Sequence, residues 1–284
     1  MLDTFESVLK SLDQKGQEKH GSMWMNLVKD RVGSLEEAYK ILNQDDRIPI
    51  DYRDLPTQAA YIFAYAMPRA YFSDQFLRRH HLALERPLFK DSEINVVSFG
   101  GGPGSELVGL LNYLNDEEMD ESVTSVSYRV YDKDGDWQSV AEQVVEKVQS
   151  GIEVDMAYHQ LDLADDAATA LVDVADADLI VFSYVMSELC ALEAKDRIAS
   201  NVNKILGKMQ SGAAMLFIES LHTDFIKFFK LCKGFHGKQI NEDCEIVNIP
   251  APNFQAIFEN YATKLGRTPR MSSEKIISKW YVKS

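Results

Sequence analysis

A glycine-rich turn between a predicted strand and a predicted helix constrains the fold more than any other feature of the sequence. Residues 94–99 (INVVSF) form a short apolar run, and GGGPG follows directly at 100–104. A β-branched run that ends in glycine is typical of a buried parallel strand. The glycines allow the backbone to turn tightly and to approach a ligand without an intervening Cβ atom. The turn therefore predicts an α/β fold with a ligand site at the carboxyl end of this strand.

Strands and helices alternate from this turn as far as residue 219. The predicted strands cover 94–99, 125–131, 154–159, 178–184 and 213–219. The predicted helices cover 104–115, 136–149, 165–175 and 192–210. Such alternation implies a doubly wound, mostly parallel, Rossmann-like sheet with helices on both faces. Farther on, FIKFFKLCKGF (225–235) and the stretch that ends at Gly266 predict helices, whereas EIVNI and the final IISKWYVKS predict strands.

The first 91 residues have the pattern of helices and contain no predicted strand. Apolar residues recur every three or four positions from Leu2 to Leu12, as on one face of a helix. Ser34 followed by Glu37 resembles a capping box and predicts that a helix opens there. Pro68 lies inside another helical pattern and is expected to break or kink it. We therefore expect an N-terminal helical cap.

The charge divides the chain into unequal parts. The net charge is −14, but residues 91–219 hold 25 acidic and 7 basic side chains, whereas 220–284 hold 6 and 10. The acidic middle of the chain repels the phosphate backbone of a nucleic acid. The protein is therefore not a uniformly basic nucleic-acid binder. We expect a helical cap over 1–91 and a Rossmann-like domain over 92–284. The basic part, 220–284, would complete the sheet.

The sequence contains no recognisable metal or membrane signal. Cys190, Cys232 and Cys244 form no CxxC pair, and the six histidines form no HxH or HExxH motif, so we predict no metal. No apolar run approaches the 18 residues of a spanning helix, and the N-terminus lacks the apolar region of a signal peptide. A cytoplasmic location is expected, with the nucleus as the alternative.

The glycine spacing narrows the class of ligand. Neither register of the turn matches G-x-G-x-x-G, and no lysine follows as in a Walker loop, which disfavours dinucleotide and triphosphate sites. Gly100, Gly102 and Gly104 form G-x-G-x-G, with Pro103 between the last two. This arrangement resembles motif I of the class I S-adenosylmethionine-dependent methyltransferases, and the resemblance covers 92–219. It implies S-adenosylmethionine (SAM) as the cofactor.

Acidic residues follow the second and third strands, where such a cofactor would lie. Asp132 ends YRVYD, and a carboxylate there can accept hydrogen bonds from ribose hydroxyls, with helix capping as the alternative. The resemblance places Asp162 near the adenine amino group, with Leu161 or Leu163 packed on the ring. Asp165 is the better candidate for the cap of the next helix.

The resemblance also implies a full set of site residues. The expected cofactor-binding residues are Phe99, Gly100, Gly101, Gly102, Gly104, Asp132, Lys133, Leu161, Asp162, Leu163 and Ser183. In SYVMSEL (183–189), which would face the sulfonium, Tyr184 and Glu188 are the catalytic candidates, although helix capping or core packing explains Glu188 equally well. The family usually carries an acid two residues before the first glycine of the motif, where this sequence has Ser98.

The sequence leaves three functions open. The net charge favours methyl transfer to a small molecule or a protein side chain. The second is an RNA methyltransferase or ribosome-associated factor, and AYAMPRAYF and SYVMSEL are similar to mitochondrial small-subunit rRNA-methyltransferase-like proteins. Its phosphate contacts would come from Arg69, Arg78, Arg79, His80, His81, Lys227, Lys230, Lys233 and Lys238. The third is a catalytically silent scaffold, which Ser98 makes possible. No membrane partner is expected.

Overall fold

One mixed sheet forms the centre of the molecule. The computed structural model describes residues 2–41, 48, 50–115, 123–190, 192–220, 237–239, 245–248, 258–267 and 275–283. The strands are β1 Glu93–Phe99, β2 Ser125–Asp132, β3 Glu153–Gln160, β4 Leu179–Ser183, β5 Ala214–Ser220, β6 Gly237–Gln239, β7 Glu245–Asn248 and β8 Lys275–Lys283.

Helices surround this sheet. They are α1 Leu2–His20, α2 Trp24–Lys40, α3 Leu55–Tyr61, α4 Met67–Arg79, α5 His81–Leu88, α6 Ser105–Leu114, α7 Gln138–Lys147, α8 Asp166–Ala170, α9 Met186–Cys190, α10 Lys195–Gly207 and α11 Glu259–Leu265. Two 3₁₀ turns, Gly21–Met23 and Gly135–Trp137, precede α2 and α7, and a π turn, Ile62–Ala66, joins α3 to α4.

The strand order is that of a doubly wound fold. The path through the sheet is β3-β2-β1-β4-β5-β8-β6. The first five of these strands are parallel, and β8 runs antiparallel to β5. Both β6 and β7 pair with successive stretches of β8. The predicted fold class is therefore confirmed, including the final strand, whereas β6 was not predicted. Because the order reverses beside β1, the carboxyl ends of β1 and β4 diverge into a crevice where ligands bind in such sheets.

A row of stacked rings lies near this carboxyl edge. His159, Tyr131, Phe99, Phe182 and Phe217 occupy matching positions on the five parallel strands. Their ring centroids are 5.0, 5.4, 4.8 and 5.0 Å apart in that order, close to the spacing between strands. Stacking in register ties the five strand ends together beneath the crevice.

The N-terminal helices share a core with helices from farther along the chain. Phe5, Trp24 and Phe63 belong to the same buried cluster as Val140 of α7 and Leu265 of α11. The apolar face that the sequence predicted for α1 is buried in this cluster. Through it, α1 packs against α7 as well as against the neighbouring N-terminal helices. The N-terminal helices therefore lie against the flank of the sheet domain.

Close packing between α4 and α6 fixes the N-terminal helices against the sheet domain. A Cβ atom on Gly109 would lie 2.5 Å from the carbonyl oxygen of Ala70, so only glycine permits this approach. The buried Asp74 carboxylate accepts hydrogen bonds from Arg78 Nε at 2.9 Å and Asn112 Nδ2 at 3.0 Å. These contacts hold Arg69, one residue before Ala70, in place relative to α6.

One helix boundary predicted from a local signal was wrong, and the irregularity predicted at Pro68 takes the form of a π turn and not a break. Ser34 does not open a helix, because it lies inside α2 and donates to the Asp30 carbonyl oxygen at 3.0 Å. The buried face of α2, which includes Val28 and Val32, extends through this point and outweighs the capping signal. Pro68 does not end its helix: the π turn immediately before it provides a wider backbone for a residue that cannot donate a hydrogen bond.

The helices after β3 and β4 are shorter than predicted. The helix predicted over 165–175 ends at Ala170, because Asp173 accepts from the Ala175 N–H at 3.1 Å and so stabilises a turn instead of a helix. The helix predicted over 192–210 is α10, and the short α9 precedes it. The helix predicted over 225–235 lies outside the described residues.

Candidate functional site

A cavity opens at the carboxyl edge of the sheet, where the glycine turn predicted a ligand site. Gly100 and Gly102 line one side of it, and Tyr61 and Arg69 from the N-terminal helices line the other. The cavity is therefore assembled from two parts of the chain. Strand β2 and the edge strand β3 contribute the end that holds Asp132, and the residue directly after β4, Tyr184, lines the cavity on the other side of β1.

The glycine turn is packed on one side and open on the other. Gly100, Gly102 and Gly104 all have positive φ values, 66°, 48° and 84°. A Cβ atom on Gly100 would collide with the Val185 side chain, whereas a Cβ on Gly102 would meet only the Trp137 ring, at 3.9 Å. The backbone at Gly102 is thus the part of the turn that a ligand in the cavity can approach closely.

Asp132 ties the turn to the end of β2. Its carboxylate accepts the Gly102 N–H and the Asp134 N–H, both at 2.8 Å. Burial raises the pKa of this carboxyl to about 6, although both hydrogen bonds lower it. Each carboxylate oxygen has a second lone pair, so Asp132 can still accept hydrogen bonds from two ribose hydroxyls.

The end of β3 presents a second carboxylate to the cavity. Asp162 accepts the Ala164 N–H at 2.9 Å and lies 3.1 Å from the Lys133 ammonium. Burial raises the pKa of the Asp162 carboxyl, but the Ala164 N–H and the Lys133 ammonium together lower it more, so the pKa lies below its usual value. Asp165 caps α8 by accepting the Ala167 and Ala168 N–H groups, as predicted, so Asp162 is not needed as the cap.

An arginine surrounded by tyrosine rings forms the wall opposite Asp132. The Arg69 guanidinium lies 4.6 Å from the Tyr184 ring centroid and 5.0 Å from that of Tyr61, to whose hydroxyl it also donates. Tyr39 and Tyr65 lie over the same cation, at 5.6 and 5.7 Å. Such contacts hold a partly desolvated cation in place without neutralising its charge.

The backbone at Tyr184 is strained. Among the described residues, Tyr184 is the one non-glycine residue with a positive φ, 55°. A conformation of this kind costs about 1–3 kcal/mol and persists where the surrounding structure imposes it, commonly at functional sites. Here the strain turns the Tyr184 ring from the end of β4 toward Arg69 and the cavity.

Glu188 provides a titratable carboxyl in the same wall. It lies in α9, four residues after Tyr184, and its half-buried side chain lines the cavity. Burial raises the pKa of Glu188 to about 7; the Arg69 charge lowers it, and the Asp132 and Glu219 charges raise it. A carboxyl with a pKa near neutrality can accept a proton at physiological pH.

Most of the residues predicted from the sequence meet in this cavity. Nine line it: Gly100, Gly102, Asp132, Lys133, Leu161, Asp162, Leu163, Tyr184 and Glu188. Four do not: Phe99 is buried in the ring stack, Gly101 packs over Ser98, Gly104 precedes α6, and Ser183 is buried beneath the site. Which of the 13 bind a ligand stays a prediction.

Sequence reasoning did not identify which residues of the N-terminal helices line the cavity. Tyr52, Tyr61 and Arg69 line the cavity together with Trp137 and Val185. The sequence assigned Arg69 to a surface for RNA, because nothing in its local pattern indicates which way it faces. The Arg78 side chain is also engaged within the chain, with Asp74 and the Asn112 carbonyl oxygen. His81 Nδ1 lies 2.8 Å from the Tyr113 hydroxyl.

The described part of the chain lacks two features, a membrane-spanning helix and a metal-binding cluster. None of its helices is both long enough and apolar enough to span a bilayer. No three of its His, Cys, Asp or Glu side chains come together as a group that could hold a metal ion.

Several solved structures are similar to this chain. The CurJ carbon methyltransferase is 12% identical, with 96% of this chain and 71% of that one covered and a TM-score of 0.47. The N-methyltransferase NodS from Bradyrhizobium japonicum WM9, in complex with S-adenosyl-l-homocysteine, is 12% identical, with 89% and 98% covered and a TM-score of 0.44. A protein from Listeria monocytogenes described as a "putative class i s-adenosylmethionine-dependent methyltransferase" is 14% identical, with 100% and 80% covered and a TM-score of 0.45. None of the curated proteins matches the chain.

A family model described as "Putative SAM-dependent methyltransferase" matches residues 53–221, which is more than half of the chain. This range contains the glycine turn, Asp132 and Glu188, and it begins early enough to include Arg69. The cavity suits SAM on its own geometry, because Gly102 is open to it and the Asp132 carboxylate has lone pairs for ribose hydroxyls. The chain therefore belongs to this family of SAM-dependent methyltransferases, whose cofactor is SAM.

Proposed function

We propose that this chain transfers the methyl group of SAM to a small molecule or a protein side chain that enters the cavity beside Glu188. The observation that carries the proposal is that Glu188, Arg69 and Tyr184 line the same cavity as the glycine turn and Asp132. A carboxyl able to accept a proton thus lies within one cavity with the groups suited to the cofactor.

The residues of the chain divide the work between binding and chemistry. Bound SAM supplies a methyl group already activated on a sulfonium. Gly102 and Asp132 would hold the ribose, whereas Asp162, Leu161 and Leu163 would hold the adenine. The main task left to the protein is to align the acceptor with the methyl group and to exclude water. Where the acceptor atom arrives with a proton, the Glu188 carboxylate would take up that proton.

The arrangement of charges supports a non-nucleic acceptor. Arg78 and His81, two members of the basic cluster considered for RNA, have partners within the chain. Arg69, a third, faces the cavity instead of an outer surface. The acidic middle of the chain, residues 91–219, also opposes an approaching phosphate backbone.

An RNA acceptor is the second candidate, and one feature of the cavity favours it. Tyr52, Tyr61 and Trp137 form a cluster of rings with centroids 5.0 to 5.8 Å apart, and all three line the cavity. Aromatic side chains of this kind can stack on an unpaired base.

Transfer of a labelled methyl group distinguishes these functions. Purified protein is incubated with methyl-labelled SAM and either an RNase-treated extract of small molecules and proteins or purified RNA. We expect label in the first pool. Label confined to RNA, with RNA affinity that falls steeply as salt rises, would establish the second candidate instead. SAM binding without transfer to either pool would indicate a scaffold and overturn the proposal.

Asp132→Ala is expected to weaken SAM binding by about 1.5–3 kcal/mol, the range for hydrogen bonds to a charged group. The loss removes the acceptor for the ribose and also the acceptor for the Gly102 N–H. Calorimetry measures the affinity, with Asp155→Ala, an exposed carboxylate on β3, as the control. Equal affinities for the two variants would refute the ribose assignment.

SAM affinity is also expected to depend on pH through Asp132. Burial raises the pKa of this group to about 6, so the carboxylate that accepts from ribose is lost as the pH falls through that value. Affinity should therefore decrease below about pH 6 in the wild type. In Asp132→Asn this step should be absent, and an unchanged step in that variant would assign it to another group.

A further inference from the structure

Glu106 is a buried carboxyl beneath the glycine turn that the proposed function does not use. It is the second residue of α6, and its side chain is 6% exposed. In the described part of the chain, its Oε2 atom has no hydrogen-bond partner. A buried carboxyl that is left partly unsatisfied is costly, which indicates that a ligand completes its hydrogen bonds.

Three buried hydroxyl groups lie on the face of the sheet that α6 covers. Ser98 of β1 pairs with Val130 of β2 and Val181 of β4. Because side chains alternate along a strand, Tyr128 and Ser183 point to the same face as Ser98, which is the face covered by α6. All three are buried, and Ser183 lies within hydrogen-bonding reach of Glu106, as Ser98 does of Tyr128.

Charged groups of the cavity wall act on Glu106. Burial raises the pKa of its carboxyl to about 7; its own N–H, Ser183 and the Arg69 charge lower it, and the Asp132 charge raises it. The Glu106 charge in turn contributes, after burial, to raising the pKa of Tyr128. Glu106 thus interacts electrostatically with two residues that line the cavity, and Ser183, its hydrogen-bond partner, directly precedes a third, Tyr184.

The order of the strands along the cavity indicates which part of SAM would lie near Glu106. Asp162 follows β3 and Asp132 ends β2, so the adenine and ribose would lie over the β3 and β2 ends. The next strands along the edge are β1 and β4, where the remainder of the molecule must continue. That remainder is the methionine part, which carries an ammonium group and needs an acceptor.

We propose that Glu106 supplies the carboxylate that binds the ammonium group of the methionine part of SAM, with the Ser98 and Ser183 hydroxyls as further acceptors. The proposal rests on the proposed function, since it requires SAM in this cavity. Ser98 stands in β1 two residues before Gly100 and is buried on the face of the sheet that α6 covers. Glu106 thus determines selectivity for cofactors that carry an amino acid end.

Two probes separate this role from a general structural one. S-adenosylhomocysteine carries the ammonium group, whereas 5′-methylthioadenosine has the same adenine, ribose and sulfur without it. By calorimetry, Glu106→Gln is expected to lower the affinity for S-adenosylhomocysteine tenfold or more and to change that for 5′-methylthioadenosine less than twofold. The control is Glu142→Gln, an exposed acid on α7, which should change neither affinity.

Three results of this titration would contradict the role of Glu106 as the partner of the ammonium group. An equal loss of affinity for both probes would show that Glu106 only supports the turn. No loss of affinity for either probe would show that the ammonium group binds elsewhere. Both results overturn this proposal, but neither affects the conclusion that the wild type binds SAM. If the wild type binds neither probe, the proposed function fails as well. Retained binding of 5′-methylthioadenosine by the variant also shows that it is folded.

Proton release gives a second, independent readout. A bound ammonium favours the charged form of Glu106, so binding of S-adenosylhomocysteine near pH 7 should release a proton from this partly protonated carboxyl. Calorimetry in buffers of different ionisation enthalpy measures that release. We expect Glu106→Gln to reduce it for S-adenosylhomocysteine and to leave the value for 5′-methylthioadenosine, to which Asp132 and Glu188 also contribute, unchanged. Equal release by wild type and variant would contradict the proposal.

Discussion

Glu188→Gln is expected to lower kcat for methyl transfer by about 10²–10⁴-fold, the usual contribution of a general base, while SAM affinity stays the same. Glutamine retains the size of the side chain but cannot accept the proton of the incoming nucleophile. The measurement is initial-rate kinetics with labelled SAM and the acceptor found in the transfer experiment, together with calorimetry for the cofactor.

The pH dependence of this variant tests the same assignment. Burial raises the pKa of Glu188 to about 7, and only its deprotonated form can accept a proton. Activity of the wild type should therefore rise with pH through about 7 and then level off. In Glu188→Gln that rise should disappear, whereas Glu193→Gln, an exposed acid five residues later, should retain both the rate and the profile. Full activity in Glu188→Gln would mean that the acceptor needs no base from this residue.

Gly102→Val is expected to abolish measurable SAM binding. A Cβ atom at this position has only the Trp137 ring nearby, at 3.9 Å, so the added methyl groups extend into the cavity and not into the protein core. They would occupy the place where the backbone approaches the ribose. Calorimetry with SAM, at concentrations up to the millimolar range, measures the loss.

A matched glycine separates this steric effect from backbone strain. Gly212, in the turn before β5, also has a positive φ, 86°, and a Cβ there would meet nothing within 4 Å. Both valine variants should be destabilised by about 1–2 kcal/mol, the cost of a left-handed conformation for a residue with a side chain. Thermal unfolding should thus shift similarly in both, but SAM binding should be lost only in Gly102→Val. Comparable loss in Gly212→Val would show that strain, not occlusion, prevents binding.

The glycine turn and the strand ends were predictable because their signals are local. A β-branched run followed by glycines specifies a strand and a tight turn within about ten residues. Asp132 and Asp162 could then be placed at the carboxyl edge, since parallel strands align those ends. The cap formed by Asp165 follows from its own side chain and the next two N–H groups.

Other local signals failed where tertiary packing outweighs them. Ser34 had the spacing of a helix cap, yet the continuous apolar face of α2 is buried through that position. Pro68 had the signature of a helix break, yet every residue of the π turn before it is buried, so packing holds the segment helical. Propensity is a weak prior when burial of an apolar face opposes it.

The sequence by itself determined the sheet, the direction of its strands and the glycine turn, because each depends on periodicity or on the backbone freedom of neighbouring residues. The resemblance of that turn to a known family motif implied the cofactor. Only the tertiary structure decided what lies opposite the cofactor. Arg69 faces Tyr184 across more than a hundred positions of the chain, and α6, which carries Glu106, covers the face of the sheet on which Ser98 lies. Such contacts follow from how α4 packs on α6, where Gly109 permits close approach, and no local pattern encodes that geometry.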